Sequence, residues 1–418
     1  MIDLSTGRVE RLLAALGRPQ DRLGPVIHVA GTNGKGSTIA FIRVMAEAAG
    51  LTVNVLTSPH LVRFAERIRI GGQLIGDDEL SRRIDEVEAA NRGEPISFFE
   101  IATALAFHAF AETPADLTVV EVGLGGRFDA TNVFAAPAVS VITPVDLDHL
   151  DMLGPGLAQI AWEKAGIIKA GRPVVVARQA PEALAVIEAE AAALGAPLTL
   201  MGREAEAAPA GGRLAFRFGE RRFELPAPSL LGAHQFANAG LAAAAILTLG
   251  DPRLGEAALA KGAATAAWPG RLQRLTAGPL GRRAEARGAD LLLDGGHNPH
   301  AGRALAMACE SLAAGDGRPL ALIVGMLARK DAGGFLAPFA ALAPQVFATA
   351  FEAESAMPAD ALAAAAWSAG LAAEATEGVE AALTRALDDD GPAPRVLICG
   401  SLHFVGDVLA RSPETWPT

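Results

Sequence analysis

Glycine, lysine and hydroxyl side chains cluster in VIHVAGTNGKGST, residues 26–38. Backbone N–H groups at a glycine-rich turn that opens a helix point toward an anion, and the helix dipole adds to the attraction. Gly34 and Gly36 allow the backbone to close around a phosphate, Lys35 supplies a positive charge, and Ser37 follows. The usual phosphate loop reads G-x-x-x-x-G-K-[ST], but here the nearest upstream glycine lies two residues too close to the lysine. The stretch therefore predicts a phosphate site with a shortened loop.

Two other interpretations of this turn stay open at this point. It would also fit an ordinary strand-to-helix turn with an incidental lysine. A dinucleotide site fits less well, because the pattern G-x-G-x-x-G is absent and no acidic residue closes the second predicted strand.

A carboxylate stands out at the end of the apolar run LTVVEVG, where Glu121 precedes a glycine turn. The carboxyl ends of strands in an open α/β sheet are where ligands bind, and Mg²⁺ prefers oxygen ligands. An exposed charge at a strand end is the alternative. Two further residues are ambiguous by themselves: His149 lies among aspartates and fits a solvated loop, and Lys164 in LAQIAWEKAGIIK fits a structural role.

The elements that must position these residues alternate along the chain. Short β-branched runs are separated by long alanine-rich helical stretches, which predicts an α/β fold with a mostly parallel sheet covered on both faces. The segment 268–283 holds two prolines and three glycines and is predicted to be a linker. The alternation restarts after it, so we expect two domains, residues 1–273 and residues 274–418.

Composition excludes several classes of protein. The net charge is −11 and no block is rich in lysine and arginine, so nucleic-acid binding is not expected. Cys309 and Cys399 lie in apolar settings, which argues for a reducing compartment without disulfides. The N-terminal residues do not form a signal peptide, and no run of apolar residues is long enough to span a membrane. We therefore expect a cytoplasmic, soluble enzyme.

The chain also resembles a known family, the folate branch of the Mur-ligase superfamily, which contains folylpolyglutamate synthase and dihydrofolate synthase. The shortened loop HVAGTNGKGST is that superfamily's form. The other stretches that carry the resemblance follow in the family's order and extend across nearly the whole chain: TSPHLVRFAERIRI, EVGLGGRFDATN, DHLDMLG, WEKAGIIK, HQFANA, WPGRLQ, DGGHNPH and GSLHFVG.

This resemblance implies an N-terminal P-loop ATPase-like parallel sheet, a C-terminal Rossmann-like ligase domain and ATP as a substrate. It implies two Mg²⁺ ions and a carbamylated Lys164. By the same resemblance, the metal ligands are Ser58, Glu121, His149 and Lys164. The implied ATP contacts are Gly34, Lys35, Gly36, Ser37, Asn238, Arg271 and Asp294.

The implied reaction joins glutamate to a pteroate or folate carboxylate through an acyl phosphate. The residues expected to act in catalysis are Lys35, Lys164 and His297, and Lys330 is expected near them. The resemblance implies that His297 and Ser401 help to bind glutamate. It implies that the pteroate contacts are Ser97, Phe98, Phe99, Glu100, Phe128, Asp129 and Ala130.

Retention of DATN favours a dual enzyme that adds the first glutamate to dihydropteroate and later ones to folates. The alternatives are a folylpolyglutamate synthase only, a phosphate-loop nucleotidase or kinase, a cell-wall ligase of the same superfamily, and a nucleotide-binding module without activity. We expect a monomer whose partners are small molecules. Three residues depart from the family's pattern, which usually shows alanine at Gly295, tyrosine at His403 and an acidic residue at Arg329.

Overall fold

The computed structural model describes residues 5–388 and 391–418. The chain divides into two compact units that are each built from more than one segment. The first unit consists of Met1–His60, Phe64–Ser229 and Gln235–Ala267. The second unit consists of Leu61–Arg63, Leu230–His234 and Trp268–Thr418.

The first unit contains an eight-stranded sheet in the order β4-β3-β2-β5-β1-β6-β7-β8. Its central strands are buried along their whole length because helices cover both faces, as their unbroken apolar sequences predict. The pairs from β2 to β8 are parallel, whereas β3 and β4 form an antiparallel hairpin at one edge. The strands are β1 Val26–Ala30, β2 Val53–Leu56, β3 Ile68–Ile70, β4 Gln73–Leu74, β5 Leu117–Glu121, β6 Val139–Ile142, β7 Val174–Val176 and β8 Leu198–Leu200.

Three more strands of this unit form a separate antiparallel sheet in the order β11-β10-β9. They are β9 Ala205–Ala210, β10 Arg213–Phe218 and β11 Arg221–Pro226. The helices of the unit, in chain order, are α1 Gly7–Ala15, α2 Lys35–Ala48, α3 Asp77–Asn91, α4 Phe98–Glu112, α5 Leu150–Leu153, α6 Leu157–Ala165, α7 Pro181–Ala193, α8 His234–Thr248 and α9 Glu256–Thr265. Short 3-10 helices lie at Pro19–Arg22 and Phe64–Arg67.

The second unit contains a six-stranded sheet in the order β12-β13-β17-β14-β15-β16, parallel except for the β12–β13 pair. Its strands are β12 Gln273–Arg274, β13 Asp290–Leu293, β14 Leu320–Val324, β15 Gln345–Thr349, β16 Ala372–Thr376 and β17 Arg395–Cys399. Its helices are α10 Gly278–Ala286, α11 Pro299–Asp316, α12 Ala332–Leu336, α13 Ala359–Ser368, α14 Val379–Leu387 and α15 Leu402–Ala410, with 3-10 turns at Ala337–Leu342 and Pro413–Thr415.

The segment 268–283, predicted to be a linker, is instead part of the second unit's fold. It contains β12, whose Gln273 pairs with Leu293, and the first turns of α10. Leu272 and Leu275 flank β12 and are both buried. The prolines and glycines of this segment mark turns around regular elements and do not make the whole segment irregular. The prediction of an α/β fold with a largely parallel sheet in each part is confirmed. Among the described residues, no helix is long and apolar enough to cross a membrane.

Candidate active site

The phosphate loop connects β1 to α2 and has room only for glycine at two positions. Gly31 has φ +146°, and a Cβ there would lie 1.8 Å from Thr143 Oγ1. Gly34 caps α2 with φ +88°, and a Cβ there would lie 2.7 Å from Asn238 Oδ1. Residues with a side chain rarely adopt such positive φ values. The backbone of the loop is therefore packed closely against its neighbours at both glycines.

Lys35 folds back across the same loop. Its Nζ donates a hydrogen bond to Gly31 O at 3.1 Å and lies 3.9 Å from Glu121 Oε1. Ser37 is buried in the first turn of α2 and accepts a hydrogen bond from Gln235 Nε2 at 3.3 Å. Gln235 in turn accepts from Asn238 Nδ2 at 3.0 Å. Helix α8 thus holds both Asn238 and the phosphate loop in place.

Glu121 lies at the carboxyl end of β5 and is 5% exposed. Its Oε2 accepts a hydrogen bond from Ser58 N at 3.0 Å, from the turn that follows β2. Strand β5 is parallel to both β1 and β2, so the three strands end at the same edge of the sheet. The structure therefore brings Lys35, Ser58 and Glu121 together, as the sequence predicts.

Lys164 is buried in α6, which the sequence alone did not indicate. The loop after Glu121 covers it, since Arg127 N donates to Glu163 O at 2.7 Å. Burial, together with the positive charge of Lys35, lowers the pKa of the Lys164 amine to about 7, while the charges of Asp148, Asp129 and Glu163 oppose this change.

His149 begins the short helix α5 with φ +52°. Its backbone N–H donates to Asp148 Oδ1 at 2.9 Å, and its Nε2 lies 3.9 Å from the same oxygen. Asp148 was not among the predicted site residues, yet its charge acts on Lys164. Its position next to His149 in an aspartate-rich loop was the available signal in the sequence.

The predicted pteroate residues at the start of α4 have two different environments. Ser97 and Glu100 form a capping box, with Ser97 N donating to Glu100 Oε2 at 2.7 Å, and Glu100 also pairs with Arg8 at 3.1 Å. Their polar atoms therefore fix the start of the helix. Phe98 is 61% exposed and presents an aromatic face to solvent. Phe99 is packed against the loop that follows β5.

Asp129, a second predicted pteroate residue, is the centre of a buried network. Its carboxylate accepts hydrogen bonds from Leu124 N at 2.8 Å, Thr131 N at 3.0 Å and Thr131 Oγ1 at 2.5 Å. Because Thr131 donates its only hydroxyl proton to Asp129, it must accept from His28 Nε2, which lies 2.9 Å away. Burial raises the pKa of Asp129 and lowers the pKa of His28 to about 3. Sequence patterns did not single out His28 or Thr131. The exposed Phe128 and the buried Ala130 flank Asp129.

The predicted residues of the second unit lie at the carboxyl ends of β13 and β17. Asp294 follows β13 and accepts hydrogen bonds from Leu272 N at 2.9 Å and Gly296 N at 2.7 Å. Burial raises the pKa of Asp294, while the nearby charges of Arg271 and His297 lower it. Arg271 Nη1 donates to Gly270 O at 2.9 Å.

Gly295 packs closely against α15. A Cβ there would lie 2.2 Å from Leu402 Cδ2. His297 Nδ1 donates to Gly295 O at 2.9 Å, which fixes the ring. Gly400 N donates to Gly296 O at 3.0 Å and brings Ser401 to the same edge, where its hydroxyl caps α15.

Known proteins are similar to this chain along most of its length. The Mur ligase middle domain family matches residues 29–246, and the Mur ligase glutamate ligase domain family matches residues 270–402. The Bacillus subtilis (strain 168) dihydrofolate synthase/folylpolyglutamate synthase is 42% identical over 308 residues, which cover 70% of this chain and 69% of that protein.

Two solved structures have similar folds. Escherichia coli FolC in complex with DHPP and ADP superposes with a TM-score of 0.85 and 32% identity, over 97% of this chain and 92% of that chain. The bifunctional folylpolyglutamate synthase/dihydrofolate synthase of Yersinia pestis, complexed with AMPPNP and Mn ion, also has a TM-score of 0.85, with 34% identity over 98% of this chain and 93% of that chain. The chain therefore belongs to the Mur ligase family, among its dihydrofolate synthase/folylpolyglutamate synthase members.

Proposed function

We propose that this chain is an ATP- and Mg²⁺-dependent ligase that joins L-glutamate to dihydropteroate, giving dihydrofolate, and to the γ-carboxylate of reduced folates. The observation that carries the proposal is the buried Glu121 carboxylate at the sheet edge, which accepts a hydrogen bond from Ser58 N and lies 3.9 Å from Nζ of the phosphate-loop Lys35. The ligands of the two similar structures, a nucleotide with DHPP or with Mn, support the same substrates and a divalent metal.

The reaction requires activation of the acceptor carboxylate, because joining a carboxylate to an amine in water is uphill. A carboxylate oxygen attacks the γ-phosphorus of ATP, the bond to the β–γ bridging oxygen breaks, and ADP leaves. The glutamate amine then attacks the acyl phosphate, loses a proton, and expels inorganic phosphate. Catalysis of phosphoryl transfer depends mainly on positioning and on charge neutralisation. Lys35 and the backbone amides that open α2 are suited to hold the transferred phosphate.

The donor atoms in the first unit fit a divalent metal. Glu121 is a buried carboxylate that accepts a hydrogen bond from Ser58 N at 3.0 Å and lies 3.9 Å from Lys35 Nζ. We propose that Ser58, Glu121 and His149 hold one Mg²⁺ and that a carbamylated Lys164 contributes to a second. A bound Mg²⁺ would neutralise phosphate charge and orient the transferred group.

The environment of Lys164 supports carbamylation. An amine attacks carbon dioxide only in its neutral form, and burial gives this amine a pKa of about 7. The nitrogen bonds to the carbon of carbon dioxide and releases one proton, and a carbamate anion results. The Lys164 side-chain amine makes no hydrogen bond or ion pair with any residue that the structure describes, so it is available to react.

The remaining site residues keep the roles expected from the family. We propose that the nucleotide also contacts Asn238, Arg271 and Asp294, and that His297 and Ser401 bind the incoming glutamate. We propose that the pteroate ring is bound by Phe98, Phe99, Phe128, Asp129 and Ala130, next to the capped start of α4 at Ser97 and Glu100. The domain boundary after residue 273, the monomeric state and a cytoplasmic location also stay predictions.

Phosphate release tests the proposed function. Purified protein with ATP and Mg²⁺ should release phosphate only when an acceptor and L-glutamate are both present. Dihydropteroate as the sole acceptor distinguishes the dual enzyme from a folylpolyglutamate synthase, which would use only tetrahydrofolate. Release that is indifferent to both acceptor and glutamate would identify a nucleotidase and refute the ligase.

A further inference from the structure

Arg67 is a buried cation beside the candidate active site to which no role has been assigned above. It ends the 3-10 helix Phe64–Arg67 and is 8% exposed. Its Nε donates to His60 Nδ1 at 2.8 Å, and its carbonyl oxygen accepts from Thr57 N at 2.9 Å. The residue after Thr57 is Ser58, which donates to Glu121. Arg67 is therefore held by the same turn that orients the candidate metal ligand.

The Arg67 guanidinium lies close to two aromatic rings. Its Cζ lies 5.8 Å from the ring centre of Phe64 and 5.4 Å from that of Phe98, so both rings interact with the cation. The two rings themselves meet edge to face at 5.6 Å. Burial lowers the pKa of Arg67, and the charge of Glu121 opposes this change. The guanidinium thus packs beside the rings of Phe64 and Phe98 and interacts electrostatically with Glu121 and Glu66.

The hydrogen-bonding capacity of Arg67 is mostly unused. Within the described part of the chain, neither Nη1 nor Nη2 makes a hydrogen bond, although together they carry four N–H groups. Burying a charged group is unfavourable unless partners satisfy it. A planar guanidinium whose two outer nitrogens are not hydrogen-bonded matches a carboxylate, which it can bind through two parallel hydrogen bonds.

We propose that Arg67 is the receptor for the carboxylate of the acceptor, the group that becomes phosphorylated. This inference rests on the proposed ligase function. The acceptor is an aromatic molecule that ends in a carboxylate. Arg67 lies beside the Phe98 ring and is held by the turn whose Ser58 donates to Glu121, which suits it to bind a carboxylate between the ring and the metal site. The phosphate of ATP already has Lys35 and the amides of the loop as partners, so the guanidinium is not needed for it.

The position also has a chemical consequence. The attacking carboxylate and the γ-phosphate are both anions, and they must approach within bonding distance. The fixed positive charge of Arg67 beside the carboxylate reduces this repulsion and orients one carboxylate oxygen toward phosphorus. Arg67 then acts by binding and positioning the acceptor, and it exchanges no proton.

The test compares two ligands in wild type and variants. Binding of 7,8-dihydropteroate and of its primary amide is measured by calorimetry in the presence of AMPPNP and Mg²⁺. Wild type should prefer the carboxylate by roughly 10- to 100-fold, the range of a charged bidentate contact. In R67Q the preference for the carboxylate should fall below about threefold. In R67K, which keeps the positive charge but loses the planar guanidinium, the preference should be intermediate. AMPPNP affinity should stay within about threefold of wild type in both variants, because their loop is intact.

R69Q is the matched control, since Arg69 is a neighbouring, partly buried arginine that contacts Gly72 O. It should keep the full preference for the carboxylate. A preference that survives in R67Q overturns the role of Arg67. Weaker AMPPNP binding with an unchanged preference would also overturn it, and would assign Arg67 to Glu121 or to phosphate. If wild type binds neither ligand and shows no glutamate-dependent phosphate release, the proposed function itself fails.

Discussion

The backbone N–H of Ser58 donates a hydrogen bond to Glu121 Oε2 at 3.0 Å, while Glu121 Oε1 lies 3.9 Å from Lys35 Nζ. One buried carboxylate therefore contacts the turn after β2 and the lysine of the phosphate loop. The hydrogen bond from Ser58 fixes the orientation of the Glu121 carboxylate. The negative charge of the carboxylate attracts a metal ion or a lysine. These two properties can be separated by substitution.

Replacing Glu121 with glutamine should keep the structure and remove most of the activity. The amide oxygen can still accept from Ser58 N, so the free energy of unfolding should change by less than about 1 kcal/mol. The lost charge should lower kcat by about 100-fold or more, because the site would bind the metal ion weakly and the phosphate charge would not be neutralised. Urea unfolding and glutamate-dependent phosphate release measure the two effects. A glutamine variant with near wild-type kcat would show that Glu121 does not hold the metal.

Gly34→Ala should weaken nucleotide binding more than it destabilises the fold around α2. The φ of +88° costs roughly 1–2 kcal/mol for a residue with a Cβ, and a Cβ at this position would lie 2.7 Å from Asn238 Oδ1. AMPPNP affinity should fall at least about 10-fold because the amides that face the phosphate move. Calorimetry gives the affinity, and urea unfolding gives the stability.

Gly50→Ala is the matched control for this change. Gly50 follows the other end of α2 with φ +80°, and a Cβ there would meet no atom within 4 Å. Gly50→Ala should lower the free energy of unfolding only by the roughly 1–2 kcal/mol that a positive φ costs a residue with a Cβ, and it should leave AMPPNP affinity unchanged. Equal losses of affinity in the two variants would mean that general destabilisation, and not the loop geometry, explains the effect of Gly34→Ala.

Local patterns in the sequence were sufficient for much of the fold. The alternation of short β-branched runs with alanine-rich stretches predicts a largely parallel sheet, and both units contain one. Strand β16 does not show this pattern, because its sequence AAEAT continues an alanine-rich stretch whose residues favour helix. This strand exists because it pairs in parallel with β15, a non-local interaction that local propensity cannot reveal.

The candidate site shows the same division between local and non-local information. Glu121 and the phosphate loop could be recognised from strand ends and glycine spacing. The burial of Lys164 could not, because it arises when the loop around Gly126 packs on the backbone of α6, distant in sequence. Arg67 and His28 are also ordinary in sequence, and only their burial and partners in the fold distinguish them.

Activity should depend on carbon dioxide through Lys164. With a pKa of about 7 the Lys164 amine is mostly protonated at pH 6 and mostly neutral at pH 8, so carbamylation should become more complete as pH rises across this range. Protein depleted of bicarbonate should lose most of its activity at pH 7 and regain it on addition of bicarbonate. Phosphate-release assays in degassed and supplemented buffers measure this, and mass spectrometry of the trapped carbamate identifies the residue.

Lys164→Ala should lower kcat by about 100-fold or more and remove the bicarbonate effect. Lys169→Ala is the control, because Lys169 lies beyond the end of α6, is only partly buried, and has a pKa lowered mainly by burial. It should retain the response to bicarbonate. Full activity in Lys164→Ala, or an enzyme that bicarbonate cannot rescue, would contradict carbamylation at this position.

His28 should make the protein sensitive to acid. The pKa of the folded-state imidazole is about 3, below its ordinary value of 6.5, because the ring is buried. Between pH 6.5 and pH 3 the unfolded chain binds a proton that the native state does not, so the free energy of unfolding falls as the pH falls. His28→Gln, which keeps a donor for Thr131, should reduce this slope by about 1.4 kcal/mol per pH unit in that window. Urea unfolding at several pH values measures the slope, and His403→Gln, at an exposed position, should leave it nearly unchanged. An identical slope in His28→Gln and wild type would mean that His28 accepts a proton in the folded state.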